Sequence, residues 1–438
     1  MKKVLLIILI FFSAQQCFSQ QKLTLQQSLG LAFKNSKEIK ISNSKVISSS
    51  AKVDEVKSQY LPQLRLSANY TRLSDVPAFE VDLPFLTHSV KIADVILDNY
   101  TVKLSLQQPL FTGFRLSSLK DAAEYYSEAA SEDVNKTKND VAYSVYSSYL
   151  NLYKAEQVKA LLQESRKSAE QHITDTKNFM DNGLATKNDL LKFEVQESNI
   201  KLSLIEANNN IDLARNALNK SLGLPLNENT EIEEIEIVPE AYSEDLNSLV
   251  KEALNNRSEI KSVKYTLNAG RENIRASRSA YFPSVYLSGN YTYANPNLRY
   301  QPPLEQFKGT WDVGITLSWD IWNWGGTSSQ VVQAQQNLYR SQTQLDLLKE
   351  NIELEVNQNY LALKYAKEKL DVTRKAIEQA DENLRTFKDK YDVQLATSTD
   401  IIDAENSLLQ AKTNYTNALI DYKLAKVKLE KSVGRKIY

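Results

Sequence analysis

The chain has 438 residues, 53 basic and 54 acidic side chains, a formal charge of −1, 42% apolar content and a mean hydropathy of −0.43. That balance excludes a nucleic-acid binder, which needs a basic field to displace counterions, and the negative hydropathy excludes a bundle of transmembrane helices. Gly and Pro are scarce beside Lys, Glu, Gln, Asn, Ala and Leu, which favours long helices.

Residues 1–19 read as a secretory signal peptide. Lys2 and Lys3 precede the apolar run Val4 to Phe12, and small residues at Cys17 and Ser19 suit cleavage after Ser19. Gln15 and Gln16 poorly match a lipoprotein cleavage site at Cys17, the one cysteine. The chain beyond offers neither a disulfide nor a cysteine nucleophile. A first structural repeat spans 20–223. It opens with a helix from about Thr24 to Tyr60, closed by Pro62. Strands follow at about 63–73 and 100–110, then a long helix at about 114–179 and a helix at about 186–222. A linker, 224–243, holds Pro225, Pro239 and a Glu-rich run. The second repeat, 244–438, runs through a helix closed by Pro283, strands at about 284–294 and 311–322, a long helix at about 326–391 and a helix at about 397–433.

The duplication is visible residue by residue. Asn35 and Glu38-Ile39-Lys40 return as Asn256 and Glu259-Ile260-Lys261, Tyr60-Leu61-Pro62 as Tyr281-Phe282-Pro283, and Asn69-Tyr70-Thr71 as Asn290-Tyr291-Thr292, all at one spacing. Leu184-Ala185-Thr186, Asp189, Glu194 and Lys220-Ser221-Leu222-Gly223 return as Leu395-Ala396-Thr397, Asp400, Glu405 and Lys431-Ser432-Val433-Gly434 at a second, slightly shorter spacing. Two ungapped registers that include Pro, Gly and Tyr mean one unit written twice.

The second long helix carries a narrow heptad seam: Ile352, Val356, Leu363, Ala366, Leu370, Ile377, Ala380, Leu384, Phe387 and Tyr391, interrupted by Asn359 and Thr373. Val141, Val145, Leu152, Ala155, Leu162, Ala169, Ile173 and Met180 answer it in the first copy. Each long helix would run roughly 100 Å and each short one roughly 55 Å, so two short helices end to end match one long partner. The strands alternate. Leu64, Leu66, Ala68 and Tyr70 interleave with Arg65, Ser67, Asn69 and Thr71, and the other three strands do likewise. Trp311, Trp319, Trp322 and Trp324 sit at the ends of the last strand. Residues 311 and 322 would lie about 28 Å apart across a tilted barrel wall, which suits interface aromatics. Four strands do not close a barrel, and bare edges in lipid cost several kcal/mol per unpaired group. Other copies of the chain must complete the sheet, as a dimer or a trimer on geometry alone.

With duplication, four strands, long coiled helices and a signal peptide together, the chain resembles the TolC-like outer-membrane efflux protein family along essentially its whole mature length. The resemblance implies a mixed α/β membrane protein. It would be a homotrimer with a twelve-stranded β-barrel, four strands per chain, continuous with a long periplasmic α-helical coiled-coil barrel. The implied place is the outer membrane of a Gram-negative bacterium. The implied role is the exit channel of a tripartite efflux or secretion system, passive and not an enzyme. The implied partners are a periplasmic membrane-fusion adaptor protein, an inner-membrane transporter of RND, ABC or MFS type, and outer-membrane lipids, with no cofactor. Type I protein secretion in place of small-molecule efflux is the alternative. A periplasmic coiled-coil scaffold is less favoured, because it gives no reason for duplicated alternating strands.

The most specific local match lies in the turns Asn182 to Asp189 and Val393 to Asp400. Gly183 suits a left-handed helix end. Thr186 and Thr397 suit N-caps, with Asp189 and Asp400 three residues on, where negative charge favours the helix dipole. By resemblance, Gly183, Leu184, Ala185, Thr186, Asp189, Leu395, Ala396 and Thr397 form periplasmic tips that meet the adaptor. Asp400 and Asp403, with the aromatic Tyr391, match the family's pore constriction, where copies of each aspartate would make a cation-binding ring. Gln394 stands where the family expects glycine, and Ala396 where some members carry arginine. His88 in a loop and His172 on a long helix lack metal-ligand spacing and read as solvated side chains. No phosphate-binding loop or nucleophile-elbow motif is present.

Overall fold

The computed structural model describes residues 22–438 apart from 78, 83, 86, 88, 89, 94 and 240–242. The signal peptide read in residues 1–19, Cys17 and His88 lie outside the described residues. The chain order is α1 (Leu25–Asn35), α2 (Lys37–Ser58), β1 (Gln63–Arg72), β2 (Phe79–Val81), β3 (Val90–Ala93), β4 (Asp98–Thr112), α3 (Arg115–Asp181) and α4 (Lys187–Leu222). It continues with α5 (Leu246–Asn256), α6 (Ser258–Arg278), β5 (Ser284–Asn295), β6 (Lys308–Ser318), α7 (Gly326–Asp392) and α8 (Ser398–Ser432). Both long helices, α3 and α7, have 67 residues. No described helix is long and apolar enough to cross a membrane.

The helix expected from Thr24 to Tyr60 is two helices. The chain leaves α1 at Ser36 (φ −51°, ψ 127°) and re-enters the helical region at once in α2. The second repeat breaks at the matching place, Arg257 (φ −61°, ψ 128°), between α5 and α6. Packing explains both breaks. Gly223, at φ 69°, sets its backbone so close to α1 that an added Cβ would lie 2.7 Å from the Asn35 Cβ. Gly434 does the same 2.9 Å from the Arg257 nitrogen. Asn35 Nδ2 donates to the Leu222 carbonyl at 3.1 Å, fastening the end of α4 into the break.

Contacts divide the chain into two compact units that cut across the repeats. The helical unit takes Met1–Ser44, Glu132–Lys261 and Asp346–Tyr438. Its core gathers Val141, Val145, Tyr149 and Leu152 of α3 with Leu218 and Leu222 of α4, Leu29 and Ala32 of α1, and Ile232 of the linker. Leu23 and Ile232 form a parallel bridge, and the buried Tyr149 hydroxyl is shared between the carbonyls of Leu23 (2.8 Å) and Glu233 (2.9 Å). Burial pushes that phenol up to about 12. On α7, Ile352, Val356, Leu363, Ala366 and Leu370 are buried, whereas the seam beyond Thr373 is only half-buried.

The sheet unit takes Lys45–Ser131 and Ser262–Leu345. Its four long strands pair antiparallel in the order β1-β4-β5-β6, while β2 and β3 form a separate small hairpin in the loop before β4. The register aligns the alternation of all four strands. Leu66 faces Leu104, which faces Tyr291, which faces Trp311. Ser67 faces Lys103, which faces Thr292, which faces Thr310. One face is therefore apolar and the other polar. A single residue of slippage would mix them. The last strand differs from the expected 311–322. It runs Lys308–Ser318, so Trp311 lies inside it, and Trp319, Trp322 and Trp324 follow its end. The reason lies in the partner strand: Ser318 pairs with Ser284, the first residue of β5 after Pro283, which has no N–H to donate, and the chain then turns into α7 at Trp324 and Gly325, both at positive φ (56° and 82°).

Candidate functional site

The two turns expected to form tips have one geometry. In the first, Gly183 N–H donates to the Met180 carbonyl (3.0 Å) and Leu184 N–H to Phe179 (2.8 Å), with Gly183 at φ 75°. This pair of bonds closes the helix end around a left-handed residue. In the second, Gln394 N–H donates to Tyr391 (2.9 Å) and Leu395 N–H to Lys390 (2.8 Å). Gln394 adopts φ 60° although it carries a side chain. The departure from glycine therefore alters the cost of the turn and not its shape. Leu184 and Leu395 project outward, with Leu395 78% exposed.

Each following helix begins with a reciprocal cap. Thr186 Oγ1 accepts from Asp189 N–H (3.2 Å), and Asp189 Oδ2 accepts from Thr186 N–H (3.1 Å) and Thr186 Oγ1–H (2.6 Å). Thr397 and Asp400 repeat the pattern at 3.3, 2.8 and 2.7 Å. The turns are also tied together: buried Ser398 Oγ donates to Asp189 Oδ1 (2.7 Å), and Lys192 Nζ to Thr399 Oγ1 (2.9 Å). Hydrogen bonds from Thr186 and Ser398 hold the Asp189 carboxyl below the usual range. For Asp400 the Thr397 backbone and side chain do so, helped by Lys192 and Lys390. Between the turns lies a cleft of about 440 Å³, lined by Leu184, Ala185, Asp189, Tyr391, Gln394 and Ser398 among others.

Of the expected constriction residues, Asp400 is thus a capping residue with Oδ2 committed. Asp403 is exposed one turn further along α8. Tyr391 sets its ring edge-on to Phe193 at 6.4 Å. Phe193 in turn stacks on His172 at 5.1 Å, and His172 Nε2 lies 3.0 Å from Glu405 Oε1, which Ser168 Oγ also contacts. His172 is therefore not solvated: its side chain is 13% exposed and joins α3 to α8. Sequence reasoning missed this cluster and the Ser398 bond. The spacing of Ser168, His172 and Thr176 on one face of α3 was the available signal. Among the described residues no group of three or more His, Cys, Asp or Glu could hold a metal ion.

The expected interface aromatics are exposed. Trp311 lies on the apolar face of β6, and Trp322 and Trp324 meet edge-to-face at 5.8 Å beyond it. Trp319 Nε1 donates to the Tyr281 carbonyl at 3.1 Å.

The model of the family described as "Outer membrane efflux protein" matches residues 28–224 and 249–435. The chain belongs to that family. Among its relatives are the outer membrane efflux protein BepC of Brucella suis biovar 1, 23% identical over 419 residues (94% of this chain, 85% of BepC), and the outer membrane protein TolC of Escherichia coli K12, 23% identical over 397 residues (87% and 76%). The fold is also that of the Campylobacter jejuni CmeC outer membrane channel, with a TM-score of 0.76 at 18% identity, covering 94% of this chain and 85% of that one. As a TolC-like outer membrane efflux protein, the chain is a protein of the Gram-negative outer membrane with a periplasmic part, and its relatives are channels. Both matched segments contain one tip turn, so the family pattern is itself duplicated here.

Proposed function

We propose that three copies of this chain form a twelve-stranded barrel in the outer membrane above a cylinder of helices. That duct passively conducts solutes delivered by a periplasmic adaptor and an inner-membrane transporter. The reading rests on one observation. The sheet carries one exposed apolar face, and its edge strands β1 and β6 have no further partner among the described residues. In hydrocarbon such edges are intolerable unless sister copies pair with them. The helical unit adds support. Leu191, Val195, Leu202 and Ile205 on α4, and Leu347, Leu354, Leu361, Tyr365 and Val372 on α7, are exposed at coiled-coil spacing. These stripes lie outside the buried seam and suit helices of neighbouring copies. The paired turns around Gly183 and Gln394, with their outward leucines and shared cleft, suit the adaptor. Asp400 and Asp403, with Tyr391 held edge-on to Phe193, suit a constriction whose acidic ring binds cations. The tryptophans suit the membrane interface.

Crosslinking of purified protein in detergent, followed by single-channel recording, tests the assembly. The expected result is a trimer that conducts. Asp400→Ala with Asp403→Ala should raise conductance and reduce divalent-cation block, and identical traces would remove the constriction. A stable water-soluble monomer would overturn the whole reading.

A further inference from the structure

The polar face of the sheet is not charge-balanced. Its strands carry Arg65 on β1, Lys103 on β4 and Lys308 on β6 against a single carboxylate, Asp312 on β6. The register puts all four on one side. Arg65 lies opposite Ser105, Lys103 between Ser67 and Thr292, Lys308 opposite Ala294, and Asp312 opposite Asn290. The acid is already engaged. Asn290 Nδ2 donates to Asp312 Oδ1 at 2.8 Å, and Arg299, from the loop between β5 and β6, reaches Asp312 Oδ2 at 2.9 Å and the Trp311 carbonyl at 2.9 Å. Arg65, Lys103 and Lys308 make no ion pair within 4 Å among the described residues, and of the three only Lys103 is near enough to Asp312 to feel its charge. Arg65 and Lys103 sit on adjacent strands two residues apart in register, diagonal neighbours on one face, and like charges so placed do not stabilise a sheet. Packing therefore gives no reason for this arrangement.

We propose that the barrel segment prefers anions, and that Arg65, Lys103 and Lys308 are the residues that set this preference for carboxylate-, sulfate- or phosphate-bearing solutes. The inference rests on the reading that the polar face lines a lumen. Repeated in every copy, the three cations line one aqueous passage, where low-dielectric walls focus their field and concentrate counter-ions. Rings of Lys and Arg select anions in the same way that rings of Asp and Glu select cations. The duct then carries charge of opposite sign at its two constituent segments: acidic at Asp400 and Asp403, basic in the sheet.

The test is the reversal potential of full-length protein in planar bilayers across a KCl gradient. Asp400→Asn with Asp403→Asn serves as the reference, so that the acidic segment does not mask the sheet. The reference should reverse on the anion-selective side. Adding Arg65→Gln, Lys103→Gln and Lys308→Gln should move reversal toward zero or beyond it. An unchanged reversal potential overturns the inference and leaves the channel standing, whereas no current from membrane-inserted reference protein overturns the channel and the inference together. A second measurement uses unmodified protein and decides the matter if the triple variant does not insert. Citrate added to the barrel side should lower the unit current of the wild-type channel, and a current indifferent to citrate overturns the inference.

Discussion

The helical unit and the sheet unit place their apolar side chains in opposite ways. Tyr149, Leu152, Leu218, Leu249 and Ile260 are fully buried in the helical unit, packed as in any water-soluble core. On the sheet, Leu64, Leu66, Val313, Ile315 and Leu317 are 67, 70, 67, 68 and 64% exposed, all on one face. A contiguous apolar surface of this kind is not stable against water in a monomer. On the proposed reading the same chain follows two solvents: water excludes the seam residues of α3 and α7, while hydrocarbon receives the apolar face of β1, β4, β5 and β6. Period decides which. A heptad stripe can be covered by another helix of the same chain, whereas a four-stranded face has no second layer to cover it.

The contrast breaks most sharply at Leu287, on the apolar face opposite Ile315. Leu287→Arg should cost roughly 2–4 kcal/mol near the bilayer midplane and lower the yield of assembled oligomer. Ser288→Arg, on the polar face, should leave assembly intact, and equal yields for the two would refute the face assignment. A smaller effect belongs to the helical unit. Thr186→Ala removes the cap of α4 and should cost about 0.5–2 kcal/mol, read as faster amide exchange over the first turn of that helix. The same cap carries a pH dependence. Because the Asp189 carboxyl is held below its ordinary value of 3.8, its contribution is fully present above that value and is lost as pH falls through the lower folded value. Acid titration of that exchange should show a smaller loss in Thr186→Ala than in the wild type, the remainder coming from the Ser398 hydrogen bond to Asp189. The smallest change is a gain. Gln394→Gly should relieve left-handed strain and stabilise the second turn by about 1 kcal/mol, visible as slower exchange at Leu395.

Much of this architecture was legible because it is periodic. Alternation locates β1, β4 and β5 to within a few residues, and the repeated Tyr-Leu/Phe-Pro and Leu-Ala-Thr motifs expose the duplication in the sequence itself. The reciprocal caps at Thr186 and Thr397 were readable for the same reason: their partners lie three residues away. What escaped depends on residues distant in sequence. The breaks at Ser36 and Arg257 follow from Gly223 and Gly434 docking across nearly the length of a repeat. His172 meets Glu405 on another helix, so the spacing of Ser168, His172 and Thr176 along α3 marks a shared face without naming its partner. The tryptophans did not mark both ends of a strand, because regular pairing ends at Ser318, opposite the first residue of β5, Ser284.

The antiparallel order β1-β4-β5-β6 has a consequence for stoichiometry. An even strand count leaves β1 and β6 running in opposite directions, so each junction between copies continues the up-and-down alternation whatever the number of copies. The edges impose no parity, and hydrogen bonding at the seam is equally content with two, three or four chains. In the proposed barrel, copy number then falls to the helical unit, whose exposed apolar stripes on α4 and α7 are the surfaces left for neighbouring copies.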